Sequence, residues 1–188
     1  MTITKFTGVI FLIAAFIFIS ALHASAQRRD FMTEPEIELV RDNQDIDMRV
    51  DVLVKMIDRR FAALKIDVGG WQPPSKESDK WGEPPTGTRL ELLTDIRLLL
   101  QKAIDDIDDV AAHDANAQTQ NKTNGKLFPK AVRSLAAAAT RYSLVLKPMP
   151  AAAANERERT VLLDSIEFCD EIIASVEKIP AEPKKTKT

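Results

Sequence analysis

Three side chains that could share a metal ion stand on one predicted helix. Asp106, Asp109 and His113 follow one another at steps of three and four residues. On a helix these steps place them on one face. Carboxylate oxygens and an imidazole nitrogen together suit several divalent cations. The spacing therefore predicts either a cation site with ligands Asp106, Asp109 and His113 or an acidic face that is simply solvated.

The solvated face is the preferred interpretation of this acidic segment. A metal site inside a helical bundle needs further Glu or His side chains that point inward from other helices. The chain has two histidines, and the other one, His23, lies close to the amino terminus. The remaining acids alternate with bases along helical faces, which is typical of side chains in water.

Both tryptophans of the chain lie in a connection rich in proline and glycine, residues 67–87. Trp71 precedes Pro73-Pro74 and Trp81 precedes Pro84-Pro85, and paired prolines favour extended backbone. One interpretation is that each indole plugs a groove on the helices and holds the connection in place. The other is a partner-binding surface formed by Trp71 and Trp81, because tryptophan is enriched where proteins recognise one another.

The chain lacks the patterns on which most enzymes of this size rely. It has no C-x-x-C-H motif for haem attachment, no Cys/His zinc set, and no glycine-rich loop for phosphate. His113 lies among aspartates and far from any nucleophile signature. The sequence therefore predicts no catalytic residue, no cofactor and no enzyme activity.

The amino terminus has the layout of a secretory signal peptide. Lys5 is the only charged residue before Arg28, residues 6–22 are almost entirely apolar, and Ala24-Ser25-Ala26 follows. A basic start, an apolar middle and an A-x-A site predict cleavage after Ala26. The alternative is an uncleaved anchor, because about 17 apolar residues is near the lower limit for a membrane span. The chain is accordingly expected to be periplasmic or secreted, or anchored to the inner membrane.

The composition of residues 27–188 limits the kinds of partner and fold that the exported chain could have. Removal of residues 1–26 leaves 25 basic and 28 acidic residues, a net charge of about −3. This balance argues against nucleic acid as a general partner. About 160 residues suffice for one domain with a core, and the later segments contain no second apolar run that could span a membrane.

Cys169 is the only cysteine, so the chain has no internal disulfide. Its place in the apolar series Leu162, Ile166, Cys169, Ile173 favours a small buried hydrophobic residue. An intermolecular disulfide or a reactive thiol is the alternative.

The first helix is the strongest secondary-structure signal. Thr33 and Glu36 form a capping box with Pro35 in the first turn. Apolar residues then recur at steps typical of a helix up to Gly69-Gly70, which is expected to end it. The sequence thus predicts one long helix over residues 34–66, roughly 50 Å in length. Its apolar stripe consists of Leu39, Ile46, Val50, Leu53, Ile57, Phe61 and Leu64.

Similar patterns predict three further helices over about 88–113, 129–146 and 151–178. A short segment 27–33 precedes the 34–179 domain, and residues 180–188 read as a disordered basic tail. The predicted class is all-α: a three- to four-helix bundle with a long first helix, a Trp/Pro-rich connection and an N-terminal signal peptide. Lys126, Lys130 and Arg133 are expected to face the aspartates at 105–109 if the third helix folds back on the second.

Two functions follow from these patterns. The first is an exported, non-enzymatic interaction or structural protein of the cell envelope, which binds an unknown protein partner or itself through helix faces or the Trp/Pro connection. The second is a small bundle that binds a divalent cation through Asp106, Asp109 and His113.

Overall fold

A computed structural model describes residues 29–70, 78–113 and 127–180 of the chain. Phe31–Thr188 forms one compact unit. In the described ranges all regular structure is helical and no strand is present, so the chain is all-α there. The α-helices are α1 (Glu34–Asp42), α2 (Ile46–Ala63), α3 (Ser78–Trp81), α4 (Arg89–His113), α5 (Leu127–Leu146) and α6 (Glu156–Ser175), and short 3₁₀ turns cover Met149–Ala152 and Val176–Lys178.

The predicted continuous helix over residues 34–66 is wrong, because the chain breaks between α1 and α2. Asn43 leaves the helical region at φ −103° and ψ 91°, and its side-chain amide donates to the carbonyl oxygen of Leu39 at 2.7 Å. Asp45 then starts α2 with extended backbone. Asn and Asp offer the backbone such local alternatives to a helix, so Asn43 ends α1 in the middle of the predicted helix.

The break lets α1 fold back along α2. Glu36 and Arg59 are 23 residues apart, and Arg59 Nη1 lies 2.8 Å from Glu36 Oε1. A continuous helix would hold the two residues about 35 Å apart. The fold-back therefore brings the first turn of α1 next to the last turns of α2.

Three helix starts agree with the capping patterns in the sequence. The Thr33 amide donates to Glu36 Oε2 at 2.9 Å, and the Thr88 amide donates to Glu91 Oε2 at 2.7 Å. At α6, Asn155 Oδ1 accepts from the Glu158 amide at 2.9 Å. Each contact satisfies a backbone donor that the first turn of a helix leaves without a partner.

Helix α2 ends at Ala63, several residues before the expected Gly69-Gly70 stop. The Ile66 amide donates to the Phe61 carbonyl and the Lys65 amide donates to the Ala62 carbonyl, both at 2.9 Å. This pair of bonds is the Schellman arrangement, which needs left-handed backbone one residue past the cap. Lys65 takes that position with φ 60°, although glycine would fill it with less strain.

In the described ranges, the long helices α2, α4, α5 and α6 surround the core. Helix α2 packs against α4 and α5, and α6 also packs against α4 and α5. The order around the core is therefore α2, α4, α6, α5, with α4 and α5 on a diagonal although they follow one another in the chain. Ion pairs fix two of these contacts: Arg89 with Glu158 between α4 and α6 at 2.9 Å, and Lys130 with Asp47 between α5 and α2 at 2.6 Å.

The core follows the predicted apolar seams closely. In α2 the stripe residues from Ile46 to Phe61 are buried, and Leu39 and Leu64 pack against the edge. In α5 an apolar series at steps of four and three residues is buried: Phe128, Val132, Leu135, Ala139, Tyr142 and Leu146. Phe61 and Tyr142 stack with ring centroids 5.2 Å apart, which joins α2 to α5 at the centre. Within the described ranges, no helix combines the length and the apolar character that crossing a bilayer requires.

Candidate functional site

Within the described residues, the proposed metal ligands are not brought together with further ligands. Asp109 and His113 form an exposed pair on α4, with His113 Nδ1 3.1 Å from Asp109 Oδ1. Asp106 instead lies 3.2 Å from the ammonium of Lys102, one turn earlier on the same helix. Among the residues that the structure describes, no three His, Cys, Asp or Glu side chains are grouped so that they could hold a metal ion.

The expected charge match between the third predicted helix and the aspartates is wrong. Lys130 binds Asp47 at the start of α2, and this hydrogen bond raises the pKa of the Lys130 ammonium. Arg133 donates to the carbonyl oxygen of Pro180. The reason is topological, since α5 lies diagonally across from α4 and its neighbours are α2 and α6. Lys126 lies outside the described residues.

Trp81 is a core residue, 5 % exposed. The guanidinium of Arg59 covers its ring, 5.3 Å from the ring centroid. The next residue, Gly82, has φ 59° and lies against Pro35 of α1, so that a Cβ at this position would stand 2.7 Å from the Pro35 ring. The structure thus places Trp81 inside the packing of α1, α2 and α3, whereas a partner-binding role requires an exposed indole. Trp71, its proposed companion, lies outside the described residues.

A cluster of buried charges holds these elements together. Glu36 is fully buried, and Arg59 and Arg60 are 5 % and 1 % exposed. Arg60 Nη2 donates to Glu36 Oε2 at 2.6 Å, and Arg59 Nη1 donates to Glu36 Oε1 at 2.8 Å. Asp95 of α4 supplies a second acid, with Oδ2 3.9 Å from Arg60 Nε. Two acids therefore face two guanidiniums in a space from which water is excluded.

The two arginines also bind the backbone of segments outside the helices. Arg59 Nη2 donates to the Glu83 carbonyl at 2.8 Å, and Arg60 Nη2 donates to the Phe31 carbonyl at 2.7 Å. Burial lowers the pKa of the Arg59 guanidinium, and the charge of Glu36 opposes this effect. A buried charge persists only when paired and hydrogen-bonded. The cluster therefore fixes where α1 and the Trp81 segment dock on α2.

A second polar group lies at the interface of α2 and α5. The Tyr142 hydroxyl is 2.7 Å from Asp58 Oδ1 and 3.1 Å from the Val54 carbonyl, so its one proton is shared between two acceptors. Asp58 is 3 % exposed. Burial raises the pKa of its carboxyl, while the Tyr142 hydrogen bond and the charge of Arg141 lower it to a smaller extent. Burial and the nearby carboxylate raise the pKa of Tyr142 well above its usual value.

The residues that follow α2 pack over Asp58 and Tyr142. Arg141 Nη1 lies 3.6 Å from Asp58 Oδ1 and donates to the Val68 carbonyl at 2.8 Å. Gly70 passes so close that a Cβ built on it would stand 2.0 Å from Asp58 Oδ2 and 2.2 Å from Arg141 Nη1. Only glycine permits this approach. A surface cavity of about 270 Å³ lies beside Gly70 and has Asp58 in its wall.

Cys169 is buried and unpaired, as its place in the apolar series indicated. Burial raises the pKa of its thiol to about 12. Nucleophilic chemistry requires the thiolate, so this side chain serves packing rather than reaction.

The sequence analysis missed both buried polar groups. It gave Glu36 only a capping role, and it assigned no role to Asp58 or Arg60. One signal was available: Asp58-Arg59-Arg60 stands directly between the seam residues Ile57 and Phe61. Three consecutive charges span about 200° of a helix, so a helix with neighbours on two sides cannot expose all of them.

No protein-family model matches the chain, and neither a curated protein nor a solved structure matches it.

Proposed function

We propose that this chain is an exported, non-enzymatic protein of the cell envelope that binds a protein partner, or a second copy of itself, through the outer face of α5. Export rests on the sequence: a lone Lys5, the apolar residues 6–22 and Ala24-Ser25-Ala26 have the order that a signal peptide requires. The residues concerned lie outside the described ranges.

The observation that carries the interaction role is an uncharged strip on the outside of α5. Ser134, Ala137, Thr140 and Leu144 are all exposed, and their spacing places them opposite the buried seam of that helix. Leu144 is 75 % exposed, more than Met48 or Leu163, the other large exposed apolar side chains of the described residues. The Thr140 hydroxyl donates back to the Ala136 carbonyl at 2.8 Å, which leaves its methyl group on the surface.

The strip differs from the outer faces of the other long helices. On α6, exposed Leu163 lies among charged neighbours such as Arg159 and Glu167, which is the pattern of an ordinary solvated face. On α5, Ser134, Ala137, Thr140 and Leu144 are uncharged, and the cations beside them, Lys130, Arg141 and Lys147, are already paired with Asp47, Asp58 and Asp170. Association through this face therefore gains apolar burial and meets cations that already have a counter-ion.

A matched pair of variants tests this role. Leu144→Lys places a charge in the strip, and Leu163→Lys makes the same change on α6. We expect sedimentation or cross-linking of the full chain in envelope preparations to show an assembly that Leu144→Lys abolishes and Leu163→Lys retains. If both variants keep the same assembly, or if the wild-type chain forms none, the α5 strip has no interaction role.

Export is tested separately, so that the two parts of the proposal can fail independently. Mass spectrometry of the chain recovered from the envelope fraction should find Gln27 at its amino terminus. Ala26→Pro should block this cleavage, because the peptidase reads a small residue at that position. A full-length chain recovered from the cell interior contradicts export but leaves the α5 strip untouched.

A further inference from the structure

Helix α1 is joined to α2 by a hinge of three residues, 43–45. Among the described helices, α1 packs against α2 and α3 alone. The hydrogen bonds at the hinge are local: Arg49 Nε donates to the Asn43 carbonyl at 3.1 Å, and Arg49 Nη2 donates to Gln44 Oε1 at 2.9 Å. Because these bonds lie at the surface or close to it, water can replace them. The hinge can therefore open without separating α4, α5 and α6 from one another.

The sequence across the hinge is compatible with one straight helix. The apolar residues Leu39, Ile46, Val50 and Leu53 follow at steps of seven, four and three, which keeps them on one helical face. Residues 36–63 contain neither proline nor glycine. The chain therefore has two available forms: a closed form, in which α1 turns back along α2, and a straight form, in which residues 34–63 are one helix.

The straight form separates Glu36 from the arginines of its own chain. In the closed form Glu36 accepts from Arg59 at 2.8 Å and from Arg60 at 2.6 Å, whereas a straight helix holds Glu36 and Arg59 about 35 Å apart. Loss of one partner from a buried ion pair is strongly destabilising, because the remaining charge stays buried without compensation. The straight form is therefore stable only when a second chain supplies the same contacts, and a second copy of this chain has them.

The direction of α1 fits a reciprocal exchange between two copies. The helix runs antiparallel to α2, since Glu36 at its start meets Arg59 near the end of α2, and Asn43 just after its end meets Arg49 near the start of α2. Two straight helices can lie antiparallel about a two-fold axis that passes between the hinges. Each α1 then lies on α2 of the other copy in the orientation that it has in the closed form, and only the hinge changes.

We propose that this chain dimerises by exchange of α1, so that residues 34–63 of each copy form one helix and Glu36 of one copy binds Arg59 and Arg60 of the other. Phe31 moves with α1, because its carbonyl accepts from Arg60. The two forms share their contacts outside the hinge, so the hinge sequence and the chain concentration decide between them. The exchange depends neither on export nor on the α5 strip.

The test changes the hinge in opposite directions. Full chains are refolded from urea at a series of concentrations, and sedimentation equilibrium measures the dimer association constant. All of them carry Leu144→Lys, so that the α5 strip does not contribute. Asn43→Leu removes the donor to the Leu39 carbonyl and introduces a better helix former. Because a dimer contains two hinges, we expect its association constant to rise by about tenfold.

Asp45→Pro is the opposing variant. Asp45 has φ −67° and its side chain makes no capping bond, so proline fits the closed form. In the straight form the same proline would stand inside a helix, where it removes a hydrogen bond and clashes with the preceding turn. We expect association at least about 100-fold weaker than with the natural hinge. Equal association of the two chains overturns the proposal.

A double variant separates exchange from simple adhesion of the new leucine. Asn43→Leu combined with Asp45→Pro keeps the leucine but prevents the straight form, and we expect this chain to be monomeric. A dimer of the double variant overturns the proposal. The absence of a dimer both with the natural hinge and with Asn43→Leu overturns it as well.

NMR of the dimer shows which part of the chain has changed. We expect the amide signals of α1, Arg59 and Arg60 to coincide in monomer and dimer, because their surroundings are the same in both. Residues 43–45 should acquire carbon-13 shifts typical of a helix. A dimer whose hinge shifts are those of the monomer, or in which the α1 signals are displaced throughout, is not formed by exchange and overturns the proposal.

Discussion

Arg60 and Glu36 form an ion pair that is closed to water on both sides. Their side chains are 1 % and 0 % exposed, and Arg60 Nη2 lies 2.6 Å from Glu36 Oε2. Glu36 also accepts from Arg59 and from the Thr33 amide. One carboxylate thus serves as a helix cap for α1 and as the counter-ion of two arginines on α2.

Replacement of Glu36 by Gln should strongly destabilise the protein. The neutral amide keeps the shape but leaves two guanidiniums buried beside a single remaining acid, Asp95. Removal of one partner from a buried ion pair typically costs about 3–5 kcal/mol, and we expect a loss of this size in urea unfolding. Glu38→Gln is the control, because Glu38 pairs with Arg41 on the surface and such pairs contribute at most about 1 kcal/mol. Equal losses in the two variants would falsify the view that Glu36 holds the cluster together.

Lys65→Gly should stabilise the protein. Lys65 has φ 60° at the end of α2, and left-handed backbone costs an ordinary residue about 1 kcal/mol relative to glycine. We expect a gain of about that size in the free energy of unfolding, measured with urea. Ala63→Gly, two residues earlier and still helical, should instead lose about 0.5–1 kcal/mol. A loss in Lys65→Gly would show that the turn does not carry this strain.

The contribution of Asp58 to the stability of the fold should decrease as the pH rises. This is the opposite of the pH dependence expected for a carboxylate whose pKa is lowered by folding. Burial raises the pKa of Asp58 in the folded protein above its ordinary value of 3.8, so the folded state binds more protons than the unfolded state between these two values. Stability contributed by this group is fully present below pH 3.8 and is lost as the pH rises through the folded pKa. The free energy of unfolding of wild type minus that of Asp58→Asn should therefore fall with rising pH.

That difference is measured by urea unfolding at a series of pH values. A difference that rises with pH would mean that the Tyr142 hydrogen bond and the charge of Arg141 outweigh burial. If Asp58→Asn does not fold, carbon-13 NMR titration of Asp58 in the wild-type chain reports the direction of its pKa shift directly.

Cys169 should be unreactive in the folded protein. With a pKa of about 12, only about one thiol in 10⁴ is ionised at pH 8. We expect labelling by iodoacetamide to be slow in buffer and to become fast in denaturing urea. Rapid labelling of the folded chain, or a disulfide-linked dimer on a non-reducing gel, contradicts a purely packing role for this residue.

The apolar seams could be predicted from the sequence because they depend on spacing alone. The stripe residues of α2 from Ile46 to Phe61 are buried, and the capping contact between Thr33 and Glu36 forms as expected. The break at Asn43 could not be predicted in the same way. A polar residue within an apolar stripe can lie at a solvated edge, make a buried contact that sets the helix register, or end the helix. Which of these occurs depends on which surfaces α1 can contact after the chain turns.

The candidate sites show the same difference between features that depend on local spacing and features that depend on packing between helices. Asp106, Asp109 and His113 share a predicted face, yet they find no further ligands in the described ranges. The residues that do meet, Glu36 with Arg59 and Asp58 with Tyr142, are separated by 23 and 84 positions. Spacing along one helix constrains only contacts on that helix, so it cannot reveal pairs between helices.

The sequence by itself determined the all-helical character of the described residues, the apolar faces of the long helices and the apolar setting of Cys169. Each of these properties depends on residues within a few turns of one another. Only the tertiary structure decided that α1 folds back on α2, that α4 and α5 lie on a diagonal, and that Glu36 and Asp58 are buried. These outcomes depend on which helix faces cover one another, because burial removes water and thereby turns an ordinary surface charge into one that requires a specific partner.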